Sequence, residues 1–218
     1  MQRYAREPSP ELERVIFFSD AVFAIAITLM VIELRVPESL TGAQLADALS
    51  DLTPRYISFL ISFGVIGVFW IAHLRMFRFI EGWDHGLLLL NLLFLLTIAF
   101  LPFPTSLIGR FEETQIATTV YSASVLGCSV SAALLWWYVS SGRRLLGPDL
   151  PVETIRAVRV GGLAVASVFV VALVVSFFSA SAASLIWWLA FPARWVAGRV
   201  TVGSDGLRPN SASIDRRS

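Results

Sequence analysis

The chain has 218 residues, 56% of them hydrophobic and only 15% charged, and its formal net charge is +1. A soluble domain of this length carries far more charge, and so even a balance supplies no field for nucleic acid. What remains is a membrane class, because the apolar stretches reach the roughly 20 residues that cross a hydrocarbon core of about 30 Å.

The first apolar run starts near Val15, after Arg3, Arg6 and Arg14, and continues to about Val36, where Pro37 ends it. A basic start before an apolar core is also the pattern of a cleaved signal. This run, however, is too long and carries Ser19 and Asp20, and no small-residue cleavage site follows, so a retained span is expected. A short amphipathic piece, Thr41 to Leu52, puts Leu45, Leu49 and Leu52 on one stripe. The second span is expected over 54–80, opening on Pro54, a good helix-start residue. A Gly-Trp-Asp-His-Gly turn at 82–86 precedes a third span over 87–108, which Pro102 and Pro104 interrupt. A fourth is expected over 116–140 and a fifth over 154–178. The small-residue run Ser179 to Ser184 then leads into a sixth over 183–197. The tail 201–218 is polar and Ser-rich, the composition of a disordered segment. No internal repeat is visible. The expectation is an all-α integral membrane protein with one six-helix domain over 1–200.

Arginine supplies every basic residue, and its distribution sets the orientation. With the N-terminus inside, the cytoplasmic side holds Arg3, Arg6, Arg14, Arg75, Arg78, Arg143, Arg144, Arg156, Arg159, Arg194, Arg199, Arg208, Arg216 and Arg217. Only Arg35, Arg55 and Arg110 lie on the other side, so both termini are expected in the cytoplasm. The lone Cys128 cannot form an intrachain disulfide and reads as a small core residue.

An ionisable group inside a span costs at least about 2.5–3.5 kcal/mol at the helix centre. Few groups here meet that cost: Asp20 in the first span, His73 in the second and, neutral but polar, Asn91 in the third. The alternating direction of the spans brings Ser19, Asp20, Trp70, His73 and Asn91 to a similar depth, where they can satisfy one another. The bland reading of such a cluster is structural glue between helices. At about 100° per residue, Thr28, Leu29 and Ile32 fall within about 60° of Ile25, while Asp20 lies about 140° away. Phe18, Ala21 and Val22 share the side of Ile25. A stripe of this kind faces lipid or another protein surface, and periodicity does not separate the two.

Other chemistries find little support. His73 and His85 lie twelve positions apart with no thiol or carboxylate cluster, so a metal site is not expected. There is no serine elbow or oxyanion loop, so no enzyme is expected. The chain also lacks a Thr-Val-Gly-Tyr-Gly filter of backbone carbonyls.

The first span nevertheless carries a motif. Phe18, Ser19 and Asp20, with Arg14 upstream and Ile25, Thr28 and Leu29 downstream, resemble the signature first helix of the transmembrane-protein-175 potassium channels. Trp70 and His73 in the second span, and Asn91, Pro102 and Pro104 in the third, are similar to the family's patterns there. The likeness covers about half the chain strongly, whereas the last three spans agree in number and hydropathy only. It implies a single-repeat subunit of a homotetramer in a bacterial inner membrane, with no cofactor beyond permeant potassium ions. First helices would line the pore, with Ile25, Leu29 and Ile32 as an aliphatic constriction and Thr28 as a polar layer aiding selection of potassium. Ser19 and Asp20 would tie to Trp70 and His73 in a network holding that helix. With Glu33 the nearest candidate for a fixed charge, moderate selectivity among cations is expected, and proton passage is compatible with it. A different class, a proton-coupled transporter titrating Asp20 and His73, stays open at this point.

Overall fold

Ser9 starts the first helix, α1 (Pro10–Leu29), by accepting a hydrogen bond from the Leu12 amide at 3.3 Å, with Pro10 in the first turn beside Glu11 and Glu13. This capping signal extends α1 several residues ahead of the expected apolar start at Val15, since Pro and acidic residues favour a helix N-terminus whatever their hydropathy. The computed structural model describes residues 9–36, 41–111, 114–143 and 145–190. Arg3, Arg6, Pro37, Arg144, the expected end of the sixth span over 191–197 with its Arg194, and the 201–218 tail lie outside the described residues, as do Arg199 and the side chain of Glu33.

Beyond Leu29 the backbone tightens into a 3₁₀ turn, Met30–Glu33. Thr28 donates back to the Ala24 and Ile25 carbonyls in the turn before it, at 2.9 and 3.1 Å. Helix α2 (Gly42–Asp51) is the amphipathic piece, opened by Thr41, whose amide donates to Gln44 Oε1 at 2.9 Å. Helix α3 (Thr53–Phe77) has Pro54 in its first turn, as expected. The third span breaks at Leu101 into α4 (His85–Phe100) and α5 (Pro102–Arg110), because Pro102 and Pro104 withhold two backbone donors and clash with the preceding turn. Then come α6 (Gln115–Ser140), α7 (Val152–Ser176) and α8 (Ala180–Trp187).

Among the described residues five helical runs are long and apolar enough to cross a membrane, namely Pro10–Ile32, Thr53–Phe77, His85–Arg110, Gln115–Arg143 and Val152–Ser176. Helix α8 begins the sixth expected segment, whose remainder falls outside the described residues.

Two apolar cores hold the bundle. One, in mid-bundle, gathers Phe23 and Ala26 of α1 and Met30 of the 3₁₀ turn with Ile66, Phe69, Phe94, Leu95, Ile98, Tyr121, Val125 and Phe169, and it includes the buried Cys128. The other sits at the end that carries Arg75, Arg78, Arg156 and Arg159, and it packs Leu12 against Met76, Phe77, Ile80, Leu87, Leu135 and Trp136. At that arginine-rich end two connections are stitched together. Ile80 and Leu146 pair in an antiparallel bridge, the Glu81 amide donates to Leu145 O at 3.0 Å, and the Gly147 amide donates to Phe79 O at 3.2 Å. The Glu81 side chain lies over Gly147, where a Cβ would stand 2.6 Å from Glu81 Oε1.

Candidate functional site

Helix α1 presents two faces of opposite character. Ser19, Phe23, Ala26 and Met30 are buried, whereas Phe17, Phe18, Ala21, Ala24, Ile25, Thr28 and Leu29 are exposed. The expected constriction residues lie on the open side: Ile25 is 56%, Leu29 45% and Ile32 48% exposed. Arg14 joins them there. The helical period therefore carries through to the fold, and among the described residues no other helix covers the Ile25 face.

The buried side of α1 is fastened by hydrogen bonds. Ser19 Oγ donates to the Val15 carbonyl at 2.7 Å and accepts from Asn91 Nδ2 at 3.0 Å. The Asn91 Oδ1 atom accepts from His73 Nε2, also at 3.0 Å, which makes Nε2 the protonated ring nitrogen and joins α1, α4 and α3 through one amide. Asp20 is held separately: Trp70 Nε1 donates to its Oδ1 at 2.9 Å on the half-exposed edge of the α1–α3 seam. The sequence places these five residues at one depth, and the structure brings them together in two groups. Asp20 partners Trp70, and His73 partners Asn91. Asn91 is therefore the centre of the network, a position that hydropathy cannot assign.

His73 has no solvent exposure and sits in an aromatic box. Its ring stacks on Phe77 at a centroid distance of 4.1 Å and lies 5.9 Å from Phe94 and 5.7 Å from Phe23. Its Nδ1 is the one buried side-chain polar atom without a hydrogen-bond partner among the described residues. Such a box fixes the imidazole plane, so Nε2 has one direction in which to donate.

Two further polar groupings escaped the sequence reading. Thr105 Oγ1 donates to Ser62 Oγ at 2.8 Å, and Ser62 lies 3.3 Å from the Tyr121 hydroxyl, linking α5, α3 and α6 in mid-bundle. At the arginine-rich end, Asp84 caps α4 through the Leu87 amide at 2.8 Å and accepts from the Tyr138 hydroxyl at 2.9 Å. The Asp before the third span was a legible helix-start signal, but its second partner, 54 positions away, was not. Among the described residues no three His, Cys, Asp or Glu side chains are grouped to hold a metal. The arrangement is one of positioning: a helix anchored on one side and bare on the other.

Comparison with known proteins gives this arrangement a context. Residues 14–102 match the family described as the endosomal/lysosomal potassium channel TMEM175. A potassium channel of Streptomyces collinus is 34% identical over 154 residues, which span 69% of this chain and 75% of that one. The human endosomal/lysosomal proton channel TMEM175 is 30% identical over 146 residues, 66% of this chain but only 29% of the human protein. Among solved structures, the lysosomal potassium-selective channel TMEM175 homologue from Chamaesiphon minutus superposes with a TM-score of 0.69 at 30% identity, covering 89% of this chain and 97% of that one.

Proposed function

Because this chain belongs to the TMEM175 family of ion channels, we propose that it is a potassium leak channel of the bacterial inner membrane, assembled as a homotetramer with helix α1 of each copy lining a central pore. The arginine-rich end faces the cytoplasm, with both termini on that side. Ile25, Leu29 and Ile32 form the constriction and Thr28 the polar layer between them. The observation that carries this reading is the bare Ile25 face on a helix whose opposite face is tied into its own subunit. A lipid-facing stripe needs no such fastening, whereas a pore wall must keep its angle to within a side chain's width.

Ion passage follows from simple terms. A ring of aliphatic side chains cannot replace a hydration shell, so when narrow it dewets and blocks ions. A small rotation or widening of α1 rehydrates it. Selection then comes from the cost of partial dehydration, eased by Thr28 hydroxyls, and is moderate because few fixed charges stand near. Proton passage belongs to the same proposal, supported by the human relative's name. A carrier built on Asp20 and His73 as a titrating pair has weaker support, because Asp20 bonds to Trp70 and His73 to Asn91 rather than to each other.

Potassium flux against sodium flux in liposomes, for wild type and Ile25→Asn, tests the proposal. Potassium should pass faster than sodium without saturating or exchanging protons in a fixed ratio. Equal, negligible flux of both ions in both proteins would remove the pore.

A further inference from the structure

The carbonyl end of a helix is a negative pole, because its last turn leaves backbone oxygens without partners inside the helix. Neither α1 nor the 3₁₀ turn that prolongs it has a basic residue in its last turn to offset that pole. The offset comes from just beyond. Arg35 reaches back three positions, and its Nε donates to the Ile32 carbonyl oxygen at 3.1 Å. Ile32 is the outermost of the exposed aliphatic residues proposed as the constriction, and Arg35 is exposed beside it. A guanidinium keeps its charge at every working pH. The bond therefore fixes a permanent positive charge at the backbone of a constriction residue, where an untethered side chain would swing out into bulk water.

We infer that Arg35 limits the rate of cation passage, one guanidinium from each subunit forming a positive ring immediately beyond Ile32. This rests on the pore reading and deepens it. A permeant cation meets the ring at the step where it must also shed water, so repulsion there raises the barrier that counts. The same connection carries Glu33 and Glu38 in sequence, and α2 carries Asp47 and Asp51. The inference concerns the difference that one charge per subunit makes beside Ile32, and that difference has the same sign whatever the net charge of this end. Electrostatics rather than shape carries the effect, so it follows charge and ionic strength and not side-chain volume.

Thiol chemistry provides the test, since Cys128 is the chain's one cysteine and is buried. The full-length, assembled Arg35→Cys protein is labelled in detergent with a trimethylammonium or a sulfonate methanethiosulfonate and then reconstituted into liposomes. Unlabelled, it should pass potassium about 3-fold faster than the wild type at about 0.1 M salt, the order expected for a ring of charges roughly 10 Å from the ion. The trimethylammonium adduct should return to the wild-type rate, and the sulfonate adduct should exceed the unlabelled variant. All these differences should shrink toward none in about 1 M salt, where the screening length is about 3 Å. Arg35→Lys should conduct like the wild type and Arg35→Gln like the unlabelled cysteine variant, a pair that serves equally if the cysteine protein fails to assemble. Equal flux through the two adducts would overturn the ring. So would an Arg35→Lys protein that behaves as Arg35→Gln does, since the bond to Ile32 and not the charge would then matter. Arg55→Gln, the same loss of charge in α3, should change flux less than Arg35→Gln, and an equal change would reduce the effect to general surface charge. A wild type that carries no potassium sinks the pore itself, whereas a conducting protein indifferent to charge at position 35 sinks this inference alone.

Discussion

The two ends of helix α1 are held by different kinds of force. Toward the arginine-rich end, Leu12 is fully buried, Ser19 bonds to Asn91, and Asp20 bonds to Trp70. Beyond Phe23 the inward contacts are apolar, through Ala26 and Met30, and the helix ends in a 3₁₀ turn. In a bilayer these forces are not equivalent. Lipid tails are as apolar as a neighbouring helix, so apolar packing distinguishes weakly between two rotations, whereas a hydrogen bond has one direction. A helix so built has a fixed root and an adjustable tip. Ile25, Thr28, Leu29 and Ile32 all lie on the tip, which is where a gate on the proposed pore must move.

The strongest way to break this contrast is to remove the root. Asn91→Leu keeps the size of the side chain but takes the donor from Ser19 and the acceptor from His73. Ser19 retains the Val15 carbonyl, whereas His73 is left with neither ring nitrogen bonded. The expected loss is about 1–3 kcal/mol, the penalty for an unsatisfied buried polar group. It should appear as a lower melting temperature and less assembled protein. If Asn91→Leu assembles and melts like the wild type, the anchored root is an illusion of geometry. At the tip, Ile25→Asn should instead leave folding intact and raise potassium flux on the order of 10-fold, equivalent to about 1.4 kcal/mol off the barrier. Unchanged flux would mean that the bare face looks into lipid.

How much of this was legible beforehand differs between root and tip. The tip was read directly, because a 100° period places Ile25, Leu29 and Ile32 on one side and the fold leaves that side open. Five of the six expected spans were likewise legible from hydropathy, down to the break of the third at Pro102. The root was legible only as a set. Depth brought Ser19, Asp20, Trp70, His73 and Asn91 to one level, yet pairing depends on helix rotation and separation, which hydropathy does not contain. The same limit hid the bond between Tyr138 and Asp84, formed where two distant segments meet. The early start of α1 was misjudged for another reason: a capping sequence, not an apolar one, begins it.

A smaller effect probes the bracing beneath the root. Gly86 lies in the first turn of α4, and a Cβ there would fall 2.2 Å from the Tyr138 hydroxyl oxygen. Gly86→Ala must therefore push the Tyr138 tip away from Asp84, at a cost of about 1 kcal/mol for the lost hydrogen bond. In a Tyr138→Ala background the same substitution should cost almost nothing, and a double-mutant cycle on melting temperature measures the difference. Additive losses would show that the Tyr138–Asp84 contact does not brace α4.

The smallest expected change separates the two halves of the root itself. Trp70→Phe removes only the donor to Asp20 and keeps an aromatic ring at a position that is 38% exposed. With water or lipid headgroups able to replace the lost partner, the cost should stay below about 1 kcal/mol, less than for Asn91→Leu. Asp20→Ala should cost about as much as Trp70→Phe, and the two together little more than either, because they delete the same bond. His73 should not register the change, since its own partner is Asn91. A histidine ring signal that shifts as far in Asp20→Ala as in Asn91→Leu would join the two groups into one network, and the root would then be a single device spanning the acid and the imidazole.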